Sequence, residues 1–130
     1  MRPSRGLFDT SFFIAGESSR PHDLSLVPID GAISIITVGE LRLGVLNART
    51  TEIRDRRLAT YVTALEFEPL PVDSAVSDAW ARLRVALRES RTRMNVNDSW
   101  IAATALAHGI PVVTRDGDFV DGLGFDVVRI

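Results

Sequence analysis

Short apolar segments alternate along this chain with longer stretches of helical spacing, and carboxylates stand where one kind of segment gives way to the other. Strands alternating with helices imply an α/β fold: a parallel sheet joined by right-handed crossovers. Gly6–Phe8 is a short strand running into Asp9-Thr10-Ser11, a strand-to-helix junction. Phe12–Ala15 starts a short helix that ends near Gly16, and Arg20–Asp30, with Pro21 and Pro28, is irregular. Ala32–Ile35 reads as the second strand. Thr37–Ala48 places Val38, Leu41, Val45 and Leu46 at helical spacing. Thr51–Glu66 is a further amphipathic helix, with Leu58, Tyr61, Val62 and Leu65 along one side. After a proline-flanked strand at Phe67–Val72, Asp73–Arg91 is the clearest helix, capped by Asp73 or Ser74, with Val76, Trp80, Leu83 and Leu87 as its stripe. Asn97–His108 is an Ala-rich helix capped by Asn97 or Asp98, and Gly109 suits its C′ position. Pro111–Thr114 and Asp126–Ile130 are the last strands.

In open α/β sheets, ligands bind beyond the carboxyl ends of the strands. Asp9 and Asp116 each follow a strand, Asp98 begins a helix, and Glu40 lies in the first turn or so of another. All four could therefore share one edge. Two carboxylates about 4 Å apart repel by roughly 4 kcal/mol at an effective dielectric near 20. A pocket of this kind calls for protons or a cation. The chain has no cysteine and only two histidines, so oxygen ligands dominate and favour a hard ion, Mg²⁺ or Mn²⁺, over zinc. Two such ions would activate a water and stabilise the attacking and leaving oxygens of a phosphodiester displacement. Each acid also has a plainer role. Asp98 could be an N-cap, Glu40 a dipole partner and Asp116-Gly117-Asp118 a turn. Asp9 resists this treatment, because an Asp at the end of an apolar strand is costly unless it is paired or bound.

Composition narrows the field further. At 130 residues, 45% of them hydrophobic, the chain suits one domain with a real core. The absence of cysteine excludes disulfides and thiolate chemistry and fits a reducing compartment. No apolar run suggests a signal peptide or a membrane span, so a soluble, cytoplasmic protein is expected. All fifteen cationic residues are arginine, which rules out chemistry that requires a lysine. The net charge of −2 is no global signature of a nucleic-acid binder.

Taken in order, Asp9-Thr10-Ser11, Glu40 before Leu41, Asn97-Asp98 and Thr114-Arg115-Asp116-Gly117-Asp118-Phe119 resemble the acidic motifs of PIN-domain nucleases. Their order and spacing are most similar to the VapC-type endoribonuclease toxins of toxin–antitoxin pairs, and the resemblance covers essentially the whole chain. It implies a single PIN-like α/β/α domain over residues 1–130, with a mostly parallel sheet of four to five strands and helices on both faces. It implies Mg²⁺- or Mn²⁺-dependent cleavage of RNA, a homodimer, and a toxin–antitoxin hetero-oligomer with a VapB-type antitoxin. By position, Asp9, Glu40, Asp98 and Asp116 would be the catalytic and metal-site carboxylates, and Asp118 an auxiliary ligand or an outer group. Thr10 and Thr114 would bond ligands or water, or act only as cap and strand-end hydroxyls. Asn97 would orient Asp98 or cap its helix.

Arg82, Arg84, Arg88, Arg91 and Arg93 crowd one helix and the loop leading to Asp98. We read Arg91 and Arg93 as contacts to the RNA backbone and Arg82, Arg84 and Arg88 as a solvated face. Arg54, Arg56 and Arg57 face solvent or a partner. His22 and His108 are structural or incidental, and Trp80 and Trp100 are core packing. Thr37–Ala48 and Thr51–Glu66 should form a hairpin whose groove could accept an amphipathic segment, a surface that antitoxins use in the resembled family. Two alternatives compete. One is a phosphatase of the haloacid-dehalogenase type with Asp9 as nucleophile, which lacks the usual second Asp at Ser11 and any lysine. The other is a non-catalytic PIN-like module that binds RNA or protein.

Overall fold

The structure, a computed structural model, describes residues 4–17, 28, 30–117, 119 and 122–130. The chain runs β1 (Arg5–Phe8), α1 (Thr10–Glu17), β2 (Asp30–Ser34), α2 (Ile35–Leu46), α3 (Thr51–Ala64), β3 (Glu68–Leu70), α4 (Ser74–Glu89), α5 (Val96–His108), β4 (Val112–Thr114) and β5 (Val127–Arg129). The strands form one five-stranded sheet in the order β3-β2-β1-β4-β5, and every pairing is parallel. The expected α/β class, parallel sheet and strand number are all present. His22 and Asp118 lie outside the described residues, as does most of the Arg20–Asp30 segment.

Side chains alternate across a strand, so successive residues feed opposite faces. Leu7, Ala32 and Val112 join Leu83, Leu87, Ile101, Ala102 and Ala105, which places α4 and α5 on one face. Phe8, Ile33 and Val113 join Phe13, Leu41 and Ala64, which places α1, α2 and α3 on the other. The two layers follow from chain direction. The path β1→β2→β3 moves one way along the sheet and the return to β4 moves the other, so right-handed crossovers put their helices on opposite sides. Gly31 is needed where the sheet meets Phe67, because a Cβ there would lie 2.6 Å from that ring.

Element ends are set by capping groups. Ser34 accepts from the Ile36 amide and starts α2 at Ile35, two residues before the expected start. Glu40 therefore stands in the second turn of α2 and not in its first. Asp73 accepts from Val76 N and caps α4 as expected. The cap of α5 is Asn95, whose Oδ1 accepts from Asn97 N, so neither Asn97 nor Asp98 holds that role. Gly109 ends α5 at φ 64° in the left-handed region.

The larger correction concerns α3. Its expected inner stripe largely faces outward: Leu58, Val62 and Leu65 are exposed and only Ala64 is fully buried. The α2–α3 hairpin packs mainly on itself, with the Arg57 guanidinium donating to the Gly44 carbonyl at 2.8 Å, so α3 has less sheet to cover than its pattern suggests. Leu46, counted in the α2 stripe, is likewise exposed.

Candidate active site

Reversal of chain direction occurs between β1 and β4, the crevice where open α/β sheets take their ligands. Asp9 leaves the end of β1 and Asp116 lies just past the end of β4. Asp9 is 2% exposed. Its Oδ1 accepts from Phe12 N at 3.1 Å, which makes it the cap of α1, and from Ser11 Oγ at 2.8 Å. Its Oδ2 accepts from Thr114 Oγ1 at 2.6 Å.

The same two hydroxyls hold the turn after β4. Thr114 Oγ1 accepts from Asp116 N at 2.8 Å, and Ser11 Oγ accepts from Arg115 N at 2.9 Å. Hydroxyls can donate and accept at once. Ser11 and Thr114 therefore fasten the start of α1 to the Arg115–Asp116 turn with the Asp9 carboxylate between them.

A second group stands beside the first. Thr10 Oγ1 donates to Glu40 Oε1 at 2.6 Å and lies 3.2 Å from the hydroxyl of the fully buried Thr37. Asn97 Nδ2 donates to Glu40 Oε2 at 3.3 Å. Asp98, the third residue of α5, follows directly and is half-buried. Thr10 and Ser11 are consecutive, so one helix start addresses both groups. Asn97, expected to orient Asp98 or to cap its helix, does not cap α5 and bonds Glu40. Hydrogen bonds thus join Asp9 to Ser11 and Thr114, and Glu40 to Thr10 and Asn97, in two groups that meet through the Thr10–Ser11 backbone, with Asp116 attached to the first through its amide and Asp98 next to Asn97. Among the described residues, no three acids or histidines stand together as a ready ligand group.

Burial pushes the Asp9 carboxyl above the ordinary carboxylate value. The bonds from Thr114, Ser11 and the Phe12 amide pull the other way, and the nearby charge of Asp116 adds to the upward push. No cationic side chain offsets Asp9 or Glu40 among the described residues; the ion pairs there involve Arg5 with Asp30 and Glu68, and Arg82 with Asp78. The carboxylates at this edge offer oxygen alone, the donor type that a hard divalent cation prefers.

Sequence reasoning gave no role to Ser11 or Thr37. The signal for Ser11 was present, as a second hydroxyl directly after the Asp9-Thr10 pair. Thr37 had none, since a Thr at the expected start of a helix reads as an ordinary end residue. Trp80 and Trp100 do more than fill the core. Their rings stack at 4.3 Å and 4°, and Trp80 Nε1 donates to Ser99 Oγ at 3.0 Å, which itself donates to Val96 O at 2.6 Å. This chain of bonds secures the first turn of α5, the turn that carries Asn97 and Asp98.

Comparison with known proteins identifies relatives of the chain. Residues 7–122 match the family model of the PIN domain. The chain is 47% identical to Ribonuclease VapC5 of Mycobacterium tuberculosis, over 98% of its own length and 97% of that protein. It is also 47% identical to Ribonuclease VapC4 of the same organism, over 100% of both. Among solved structures, VapBC-5 from Mycobacterium tuberculosis, a member of the VapBC family of toxin–antitoxin systems, superposes with a TM-score of 0.92 at 44% identity, covering 98% of this chain and 100% of that one. FitAcB from Neisseria gonorrhoeae superposes with a TM-score of 0.74 at 31% identity, covering 95% and 96%.

Proposed function

Because the chain belongs to the PIN-domain family, and within it to the VapC ribonucleases, we propose that it is an endoribonuclease toxin that uses Mg²⁺ or Mn²⁺ and is neutralised by a VapB-type antitoxin. The observation that carries the reading is the buried Asp9 carboxylate at the crevice between β1 and β4, hydrogen-bonded on both oxygens and offset by no cationic side chain. Asp9, Glu40, Asp98 and Asp116 hold the cation, with Asp118 as an auxiliary group. The cation, when bound, supplies water activation and neutralises charge on the scissile phosphate. Thr114 and Ser11 keep both Asp9 oxygens oriented, Thr10 and Asn97 do the same for Glu40, and Arg91 and Arg93 hold RNA phosphates. The haloacid-dehalogenase alternative falls away with the PIN match over residues 7–122.

The antitoxin seats beside this site. A groove of about 540 Å³ runs past Thr10, Glu40 and Asn97 and is flanked by Ile14 and Leu43. Ile14, Leu43 and Leu46 are exposed along it or close by, an apolar surface suited to an amphipathic segment. With the antitoxin bound the assembly is a hetero-oligomer, in which the chain would also pair with itself.

The decisive assay is RNA cleavage in Mg²⁺ or Mn²⁺ with wild type and Asp98→Asn, which keeps the side chain's size and removes its charge. Cleavage should be lost in the folded variant and in EDTA. Undiminished cleavage by Asp98→Asn would remove the acid from the mechanism. Growth arrest on expression, abolished by Asp9→Ala, is the cellular counterpart.

A further inference from the structure

We propose that the cavity at the carboxyl end of α4, lined by Arg84, Arg88, Thr92 and Arg93, is a phosphate subsite that grips the backbone of single-stranded RNA. For its ligand, the proposal rests on the ribonuclease reading above.

Three guanidinium groups from two elements line this cavity of about 270 Å³, with Leu87 and Met94 as its apolar walls. Arg84 and Arg88 are one turn apart on α4, a like-charge pairing that is unfavourable unless an anion sits against it. None of the three belongs to an ion pair among the described residues, whereas Arg82 on the same helix is committed to Asp78 at 2.8 Å. The helix dipole favours a cation in the last turn and so accounts for Arg88. It does not account for Arg84, a turn further back, or for Arg93, beyond the helix end. Sequence spacing had assigned Arg84 and Arg88 to a solvated face together with Arg82; the cavity separates them from it.

Two further features shape the subsite in advance. The Arg84 guanidinium lies 5.9 Å from the centre of the Trp80 ring, which is itself stacked on Trp100. A guanidinium resting on an indole has less freedom to lose when it meets a phosphate. The second feature is the turn after α4. Arg91 has φ 55°, the only positive value at a non-glycine position among the described residues, where glycine is the usual occupant. Thr92 N donates back to Leu87 O at 2.9 Å, which folds Thr92 and Arg93 over the helix end and toward Arg84 and Arg88. A bidentate fork from each arginine suits phosphodiester oxygens. Arg93 precedes Asp98 by five residues, so their Cα atoms are at most roughly 18 Å apart. One RNA strand can therefore reach both the subsite and the carboxylates.

The test is fluorescence anisotropy with a short labelled single-stranded RNA in EDTA, where no cleavage occurs, across a series of salt concentrations. The full chain is compared with Arg84→Gln/Arg88→Gln/Arg93→Gln, with the three single variants, and with Arg49→Gln/Arg54→Gln/Arg56→Gln on the α2–α3 hairpin as a charge-matched control. Each lost phosphate contact lowers the slope of log affinity against log salt by about 0.7, so the triple variant should lose about 2 and each single variant about 0.7. The control should match wild type. The single variants keep the test decisive if the triple variant does not fold. Unchanged affinity and slope in the arginine variants, or no RNA binding by wild type, would overturn the subsite. Loss of the same slope in the control would overturn it as well, since general charge would then explain the effect. The two readings fail separately. A wild type that cuts no RNA in Mg²⁺ or Mn²⁺ but shows the arginine-dependent slope loses only the nuclease assignment. A wild type that cuts RNA with flat arginine variants loses only the subsite.

Discussion

At the scale of single residues, Asp9 sets the character of the site. A carboxylate buried to this degree carries a desolvation cost that its hydroxyl and amide partners only partly offset. The sign of its effect on stability follows from the raised pKa. Below the ordinary carboxylate value, both folded and unfolded chains hold the proton and Asp9 costs nothing. As pH rises from there, the unfolded chain releases its proton first, so stability falls through the interval up to the raised folded value and stays reduced above it. Asp9→Asn should therefore melt above wild type in EDTA at neutral pH, and the gap should close as pH is lowered toward 3.8. Mn²⁺ should reverse the order by stabilising wild type alone, by about 2.7 kcal/mol at a hundredfold excess over its Kd. Calorimetric melts over a pH series check both parts. A variant that melts below wild type at every pH, with or without Mn²⁺, would contradict them.

At the scale of elements, the first turn of α5 links the core to the site. It is held from below by the Trp80–Ser99–Val96 chain of bonds and from its start by Asn95, and it carries Asn97 toward Glu40. Stability and function should therefore separate at neighbouring asparagines. Asn95→Ala removes the cap and should cost about 1 kcal/mol. Asn97→Ala is exposed and should leave stability within about 0.5 kcal/mol while lowering cleavage, because Glu40 loses a donor. Thermal melts and initial cleavage rates on the two variants give the comparison, and equal stability losses would argue against it. The sequence could not choose between them. Asn95, Asn97 and Asp98 are all good capping residues within four positions, and only the packing of α5 on α4 decides where the helix starts.

At the scale of the whole molecule, the reversal of strand order between β1 and β4 gathers residues distant in sequence at one edge, and the α2–α3 hairpin leaves leucines uncovered next to it. If that surface seats the antitoxin, Leu43→Asp/Leu46→Asp should weaken the toxin–antitoxin complex by at least about 2 kcal/mol, the scale of an interface hot spot. Both positions are exposed, so the isolated protein should melt within about 0.5 kcal/mol of wild type. Co-purification and titration calorimetry with the antitoxin measure the loss, and undiminished binding would move the partner to another face.

The alternation of short apolar runs with helical spacing was enough to specify a parallel sheet. An aspartate at the end of an apolar strand was enough to single out β1's exit, because such a charge is costly to bury, and Asp9 is indeed buried there. Those features are local, and the chain carries them in residue order. Which side of α3 is covered, which asparagine caps α5, how Ser11 and Thr114 clamp one carboxylate, and which arginines share a cavity were settled only by tertiary packing. Local preferences there differ by a kcal/mol or less, while contacts between segments distant in the chain decide the outcome.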